Sequence, residues 1–274
     1  AFNIAQGETV SSILDRLHQE GLVKSPELLK IYVRLYDLTR KFQPGGYTLS
    51  PASSSAQILN TLFAGPRDIW VTIPEGWRRE QIAVRLASLL ENFDPGEFMN
   101  LTLDLEGQLF PDSYLFPSQA TTADTIRLLR ANFQKKSGLT LPRDQNTLIL
   151  ASLIEREANA DPDRGVIAGI LHNRFKAGWP LQIDATVQFA RDTINCQLLT
   201  DNCQFWKPVF DTKLASQYNT YLNPGLPPGP ICNPGLASLR AAATPTDTTY
   251  WYYLTDPEGI THFARTLSEH NSNI

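Results

Sequence analysis

Along the first part of the chain, apolar residues fall at helical spacing between short runs that read as strands. Phe2-Asn3-Ile4 predicts a strand. Val10, Ile13, Leu14 and Leu17 form an i, i+3, i+4, i+7 stripe, and Gly21 ends that helix. Ser25-Pro26 opens a second helix carrying Leu28, Leu29, Ile31, Tyr32, Leu35 and Tyr36, with Pro at its first helical position. Gly45-Gly46 turns into a strand at Tyr47-Thr48-Leu49. Ser53–Ser55 then caps a third helix with Ile58, Leu59 and Leu62, and Gly65-Pro66 closes the unit. Residues 1–66 therefore read as one small α+β module.

Beyond it, residues 67–274 read as a mixed, largely helical domain. Ile69–Ile73 alternates as a strand, and Pro74-Glu75-Gly76 is a turn. Ile82, Ala83, Leu86, Leu89 and Leu90 mark a helix, Phe98 a shorter one, and residues 105–114 a loop. A further helix over Thr121–Lys136 carries Ile126, Leu129 and Phe133 on one face. Two helices, Asp144–Ala158 and Asp161–Ala177, form a hairpin that Gly178 stops. Residues 179–235 are rich in turns, a short helix spans Leu236–Ala243, and Tyr250–Leu254 pairs with Thr261–Phe263 in a C-terminal β-hairpin.

Composition narrows the class. The chain has 274 residues, 42% apolar and 19% charged, which is globular and long enough for a sizeable core. The net charge of −4 and the lack of a long basic run argue against nucleic acid as a partner. No stretch approaches the ~18 consecutive apolar residues of a membrane span. Of the three Cys, Cys196 and Cys203 are spaced to bridge or to stay free; a bridge would imply an oxidising compartment. The Cys and the four His show no metal spacing. A phosphate loop and a nucleophile elbow are also missing, so no metal or cofactor is expected.

Three constellations can carry chemistry. In Ala151-Ser152-Leu153-Ile154-Glu155-Arg156-Glu157-Ala158, the run Leu148–Ile154 is apolar except for Ser152, so the helix is buried on most sides. A carboxylate on such a face is desolvated, which favours the protonated state that a general acid needs. Glu155 and Glu157 both satisfy the periodicity, which does not choose between them. In Leu181–Thr186, Gln182 and Asp184 alternate with apolar residues and can point together into a cleft. Tyr218-Asn219-Thr220-Tyr221, ahead of a long Pro/Gly loop ending at Gly235, suits a sugar site. There rings stack on pyranose faces and an amide bonds in both directions. The plain alternatives are a helix-end Glu paired with Arg, a polar loop, and a turn with core tyrosines.

Taken together and in order, these blocks resemble those of the endolytic murein transglycosylases, or YceG-like proteins. The resemblance also covers Thr72–Trp77, Leu105–Asp112, and Gly225-Leu226-Pro227-Pro228-Gly229-Pro230-Ile231 through Asn233-Pro234-Gly235, nearly the whole chain. It implies a bacterial cell-wall enzyme acting on peptidoglycan glycan strands. It implies an N-terminal membrane helix, absent from this chain, that anchors the protein to the inner membrane with the catalytic part periplasmic. Penicillin-binding synthases are implied as neighbours. Residues 1–66 would be a LysM-like peptidoglycan-binding module and residues 67–274 the catalytic domain. The family's catalytic glutamate is the first Glu of the helix motif, here Glu155. Gln182, Asp184, Tyr218, Asn219 and Tyr221 are the substrate-binding candidates. The family pattern sets a His two residues before a Phe near the C-terminus. Here Thr261 stands at that place and His262 directly precedes Phe263, so His262 is not expected in the site. The stretch Asn195–Cys203 is a local elaboration.

The expected reaction cleaves the β-1,4 bond between N-acetylmuramic acid and N-acetylglucosamine with one carboxyl, leaving a 1,6-anhydro end. Two alternatives are a muramidase using the same acid, with Asp184 activating water, and a non-catalytic glycan-binding scaffold.

Overall fold

The computed structural model describes residues 2–5, 7–66, 68–117, 120–196 and 203–273. The fold is α+β, with helices predominating and three two-stranded sheets among the described residues. The chain divides into two compact units. One comprises residues 1–72, 86–94 and 113–122, so it reaches past residue 66 and takes in two later segments; the other comprises 73–85, 95–112 and 123–274.

The first unit begins β1 (Phe2–Ile4), α1 (Val10–Gln19), α2 (Pro26–Leu35), a short turn of tighter helix, β2 (Gly45–Tyr47) and α3 (Ser55–Phe63). Thr9 caps α1 by accepting from the Ser12 N–H, and Ser54 with Gln57 forms a capping box on α3. β1 and β2 pair antiparallel with Phe2 opposite Tyr47. Phe2, Ile4, Ile13, Leu14, Leu17, Val33, Tyr47, Ile58 and Leu62 fill the core. The second strand lies at Gly45–Tyr47, earlier than the periodicity suggests. The glycines are needed there: a Cβ on Gly46 would sit 1.8 Å from Asp68 Oδ2, and Gly45 has φ 144. Of the apolar residues on α2, only Val33 is buried; Leu28, Ile31 and Leu35 are exposed.

After α3 the chain runs through β3 (Asp68–Ile73), α4 (Arg79–Ala87), α5 (Pro95–Leu101), β4 (Asp112–Pro117) and α6 (Thr122–Ser137). β4, whose start was expected to be loop, pairs with β3. The second unit centres on α7 (Gln145–Glu157), α8 (Asp161–Lys176), α9 (Asp184–Asn195) and α10 (Leu236–Ala243). Every residue of Leu148–Ile154 is buried, as the apolar run predicts. α7 packs on α8 and α10 around Leu148, Leu153, Ile154, Ile167, Leu171 and Leu239. Gly169 on α8 allows residues 246–248 to lie directly on the helix, since a Cβ there would be 2.1 Å from the Thr246 carbonyl oxygen. The C-terminal hairpin forms from β5 (Tyr252–Thr255) and β6 (Thr261–Ala264), and α11 (Leu267–Ser272) follows it.

The sequence pattern predicts neither α9 nor α11. α9 is rich in β-branched residues (Thr186, Val187, Thr193, Ile194), which weaken local helix propensity. Packing of its buried Ala185, Val187, Phe189 and Ala190 overrides that tendency. Cys196 and Cys203 form a disulfide with a Cα–Cα distance of 5.3 Å; the residues 197–202 between them lie outside the described residues. Cys232 is a buried free thiol.

Candidate active site

Glu155 sits in the last turn of α7 with its side chain 7% exposed. Its Oε2 accepts the backbone N–H of Gly235 at 3.0 Å. Its Oε1 lies 3.5 Å from Nη2 of Arg164. Arg164 is fixed from two sides: its Nε donates to Ser238 Oγ at 3.0 Å and its Nη1 pairs with Asp161. The candidate acid is thus held by one backbone donor and one anchored cation, contributed by the loop before α10 and by α8.

That loop is tied to α7 through Ser152. The Ser152 hydroxyl accepts the Ile231 N–H at 3.0 Å and donates to the Ile149 carbonyl at 2.7 Å. The Cys232 thiol donates to the Ser152 carbonyl at 3.3 Å, and burial holds that thiol well above its usual range. Asn233, fully buried, extends the tie. Its Nδ2 donates to the Trp77 carbonyl and to Glu106 Oε1, its Oδ1 accepts the Leu109 N–H, and its carbonyl accepts the Gly76 N–H. Glu106 is pushed up to about 8, chiefly by burial and then by the charge of Glu80, with Arg78 and Arg79 opposing.

These ties bring the turn at Pro74–Gly76 onto the end of α7. The carboxylate of Glu75 packs against Gly235: a Cβ there would lie 1.8 Å from Glu75 Oε1. Gly235 therefore separates two carboxylates, bonding one through its N–H and giving its bare Cα to the other. Burial and the neighbouring charge of Glu155 raise the Glu75 carboxyl above its ordinary value, while Arg164 opposes. In the sequence Glu75 reads only as a turn residue. The available signal was its place inside the Thr72–Trp77 block that shares the family resemblance.

Glu157 belongs to a second cluster. Its Oε2 accepts the Tyr253 hydroxyl at 2.7 Å, and its carboxyl is raised, first by burial. Asp184, exposed at the start of α9, accepts the Tyr221 hydroxyl at 2.6 Å. The Tyr221 phenol is raised, first by burial and then by that bond. Arg174 joins the parts by donating to the carbonyls of Leu181 and Trp251.

The remaining candidates have separate places. Gln182 is exposed, with φ 53, and its backbone N–H donates to the Thr220 carbonyl. Tyr218 is half-buried with its ring 4.7 Å from that of Phe189, and burial raises its phenol. Asn219 is fully buried. Its Nδ2 donates to the carbonyls of Thr212 and Leu214, and its Oδ1 accepts the Tyr221 N–H, so its amide braces the loop. Among the described residues, Glu155 bonds to Gly235 and Arg164 and to none of these five. His262 pairs with Asp256 at 2.7 Å within the hairpin.

Comparison with known proteins sets these residues in a family. Residues 2–274 match the model of the YceG-like family. The chain is 32% identical to the endolytic murein transglycosylase of Bacillus subtilis (strain 168), over 98% of this chain and 82% of that protein. It is 27% identical to the endolytic murein transglycosylase of Streptococcus pneumoniae (strain ATCC BAA-255 / R6), covering 99% of this chain and 57% of that longer protein. A crystal structure of a yceG-like protein from Listeria monocytogenes superposes with a TM-score of 0.63 at 28% identity, covering 99% of this chain and 97% of that one. On the match of its whole described length, this chain belongs to the YceG-like family.

Proposed function

We propose that the protein is an endolytic murein transglycosylase with Glu155 as its single acid and base. The observation that carries this is the setting of Glu155: a nearly buried carboxyl at the end of the most buried helix, held by the Gly235 N–H and faced by Arg164 and Glu75. The protonated Glu155 gives its proton to the oxygen of the MurNAc-β-1,4-GlcNAc bond. The C1–O bond breaks and the GlcNAc 4-hydroxyl leaves. The resulting carboxylate, stabilised by Gly235 and Arg164, takes the proton of the muramyl C6 hydroxyl. That oxygen bonds to C1, closes the 1,6-anhydro ring and regenerates the acid without consuming water. Ring closure is intramolecular, so proximity supplies much of the acceleration.

A muramidase is the second reading, favoured by one specific observation. Most glycosidases use two carboxylates, and Glu75 supplies a second beside Glu155, whereas Asp184 is bonded to Tyr221. In the first unit, the β–α–α–β order over residues 2–47 supports a LysM-like glycan-binding role. Among the described residues no helix is long and apolar enough to cross a membrane. Action on the extracytoplasmic side follows from the proposed substrate.

Mass spectrometry of purified glycan strands after incubation tests the proposal. Products ending in 1,6-anhydromuramic acid are expected from the wild type. The Glu155→Gln variant should fold normally and lose roughly 10²–10⁴-fold in rate, the usual size of a general acid–base contribution. Reducing ends would establish the muramidase and direct attention to Glu75. Near wild-type cleavage by Glu155→Gln would remove Glu155 from the chemistry.

A further inference from the structure

Between the two glutamates in the sequence lies a cation to which neither is bonded. Glu155 bonds to Gly235 and Arg164, and Glu157 to Tyr253. The guanidinium of Arg156 has no hydrogen bond or ion pair among the described residues, and its Nε is buried without a partner. Buried polar atoms are nearly always satisfied, so the unpartnered Nε of this half-buried side chain is an exception.

Arg156 is nevertheless held firmly. Its Cζ lies 4.2 Å from the centroid of the Trp206 ring, a close cation–π contact. On another side the backbone at Gly76 approaches, where a Cβ would be 3.1 Å from Nη1. Trp206 itself has φ 64, a conformation rare for a bulky residue and one that clusters at functional sites. Two bonds hold it there: its backbone N–H donates to Oδ2 of the buried Asp192 at 2.8 Å, and its indole N–H donates to Gln81 Oε1 at 3.3 Å. The chain thus keeps a strained tryptophan in place, and the tryptophan steadies a guanidinium whose N–H donors have no acceptor in the protein.

We propose that Arg156, clamped on Trp206, binds a carboxylate of the substrate. A guanidinium presents a planar fork that matches a carboxylate. The unpartnered Nε–H is the donor such a carboxylate would fill. The inference rests on the murein reading given above. In a murein strand whose lactyl groups are amidated, the sugars are neutral and the carboxylates belong to the peptide stems. Arg156 therefore selects strands whose stem carboxylates are free over strands in which those carboxylates are methyl-esterified.

The test measures binding, so it does not depend on turnover. Soluble labelled stem-bearing strands, with their carboxylates free and after methyl esterification, are titrated against the full chain carrying Glu155→Gln to prevent cleavage. Strands with free carboxylates are expected to bind roughly tenfold or more tightly, the scale of a hydrogen bond to a charged group. Adding Arg156→Gln should bring the ratio close to one. The comparison of the two strands with Arg156 intact needs no further variant to fold. Equal binding of the two strands by the protein with Arg156 intact overturns the proposal, as does a preference that survives Arg156→Gln. Cleavage by the wild type is scored separately. Its absence alongside a carboxylate preference would remove the transglycosylase reading and leave a carboxylate-binding site.

Discussion

The tie between α7 and the loop before α10 can be cut at one atom. Ser152 is fully buried, and its hydroxyl is the acceptor for the Ile231 N–H at 3.0 Å. In Ser152→Ala that donor, on a residue with no exposed surface, loses its partner. A buried donor left unsatisfied costs ~1–3 kcal/mol. The bond to the Ile149 carbonyl adds little, because that oxygen stays within the helix, and the volume removed is one oxygen. We expect a loss of about 2 kcal/mol. At ~2–4 °C per kcal/mol for a chain near this size, Tm should fall by roughly 4–8 °C.

The same change should reach the chemistry. Ile231 lies on the strand of chain that carries Asn233 and then Gly235, whose N–H bonds to Glu155. A misplacement of about 1 Å at a reacting group can cost ~10²-fold, so kcat on glycan strands should fall by at least roughly tenfold. Cys232→Ala is the control, because it removes the thiol donor to the Ser152 carbonyl and keeps the Ile231 bond. Calorimetry gives the stability and product release from labelled strands gives kcat. A shift in Tm below ~1 °C would refute the energetic argument. A clear loss of stability with wild-type kcat would show that the loop holds Glu155 without this anchor.

Three further outcomes are expected. Glu106, raised to about 8 from an ordinary 4.5, stays protonated in the folded chain while the unfolded chain ionises. Stability should therefore fall as pH rises through that window, and Glu106→Gln should make the slope shallower in a series of urea titrations, with Glu75 and Glu157 leaving a remainder of the same sign. Asp184→Asn keeps an acceptor for the Tyr221 hydroxyl, so its Tm should hold within ~2 °C while kcat/KM drops roughly tenfold if the charge meets substrate. Full retention of kcat/KM would assign Asp184 to structure. Thiol titration of denatured, unreduced protein should find only Cys232 reactive, with Cys196 and Cys203 appearing after reduction. Early reactivity of that pair would deny the bridge.

Much of the helical framework was legible because local signals agreed. The stripe on α1, the capping box on α3 and the apolar run of α7 each state their element within one stretch of sequence. Where tertiary packing decides, the pattern misled. α9 is a helix despite its β-branched residues because Ala185, Val187 and Phe189 are buried. β4 exists because β3 offers a partner. On α2 the apolar residues repeat convincingly, yet the exposure of Leu28 and Leu35 shows that periodicity predicts a helix without saying what covers it. Asn219, chosen as a sugar ligand for its two-way amide, shows a similar limit. The same amide serves equally to brace the loop's own backbone.

Glu155 and Glu157 show what periodicity leaves out of a site. Two residues apart on a helix, they point roughly 200° apart, and both satisfied the apolar pattern. What separates them is chain that returns from far along the sequence. Glu155 meets the Gly235 N–H, Arg164 and Glu75, brought by the loop before α10, by α8 and by the turn after β3. Glu157 meets the phenol of Tyr253 on the C-terminal hairpin. The difference is chemical as well as spatial. A group that acts first as acid and then as base needs neighbours that serve both states. Glu155 has the Glu75 carboxyl on one side of Gly235, and the Gly235 N–H and Arg164 as donors to its oxygens. Glu157 faces a buried phenol that itself resists ionisation, so neither partner readily releases charge to the other. The proposed mechanism accordingly runs through Glu155, while Glu157 ties the hairpin to α7 through Tyr253.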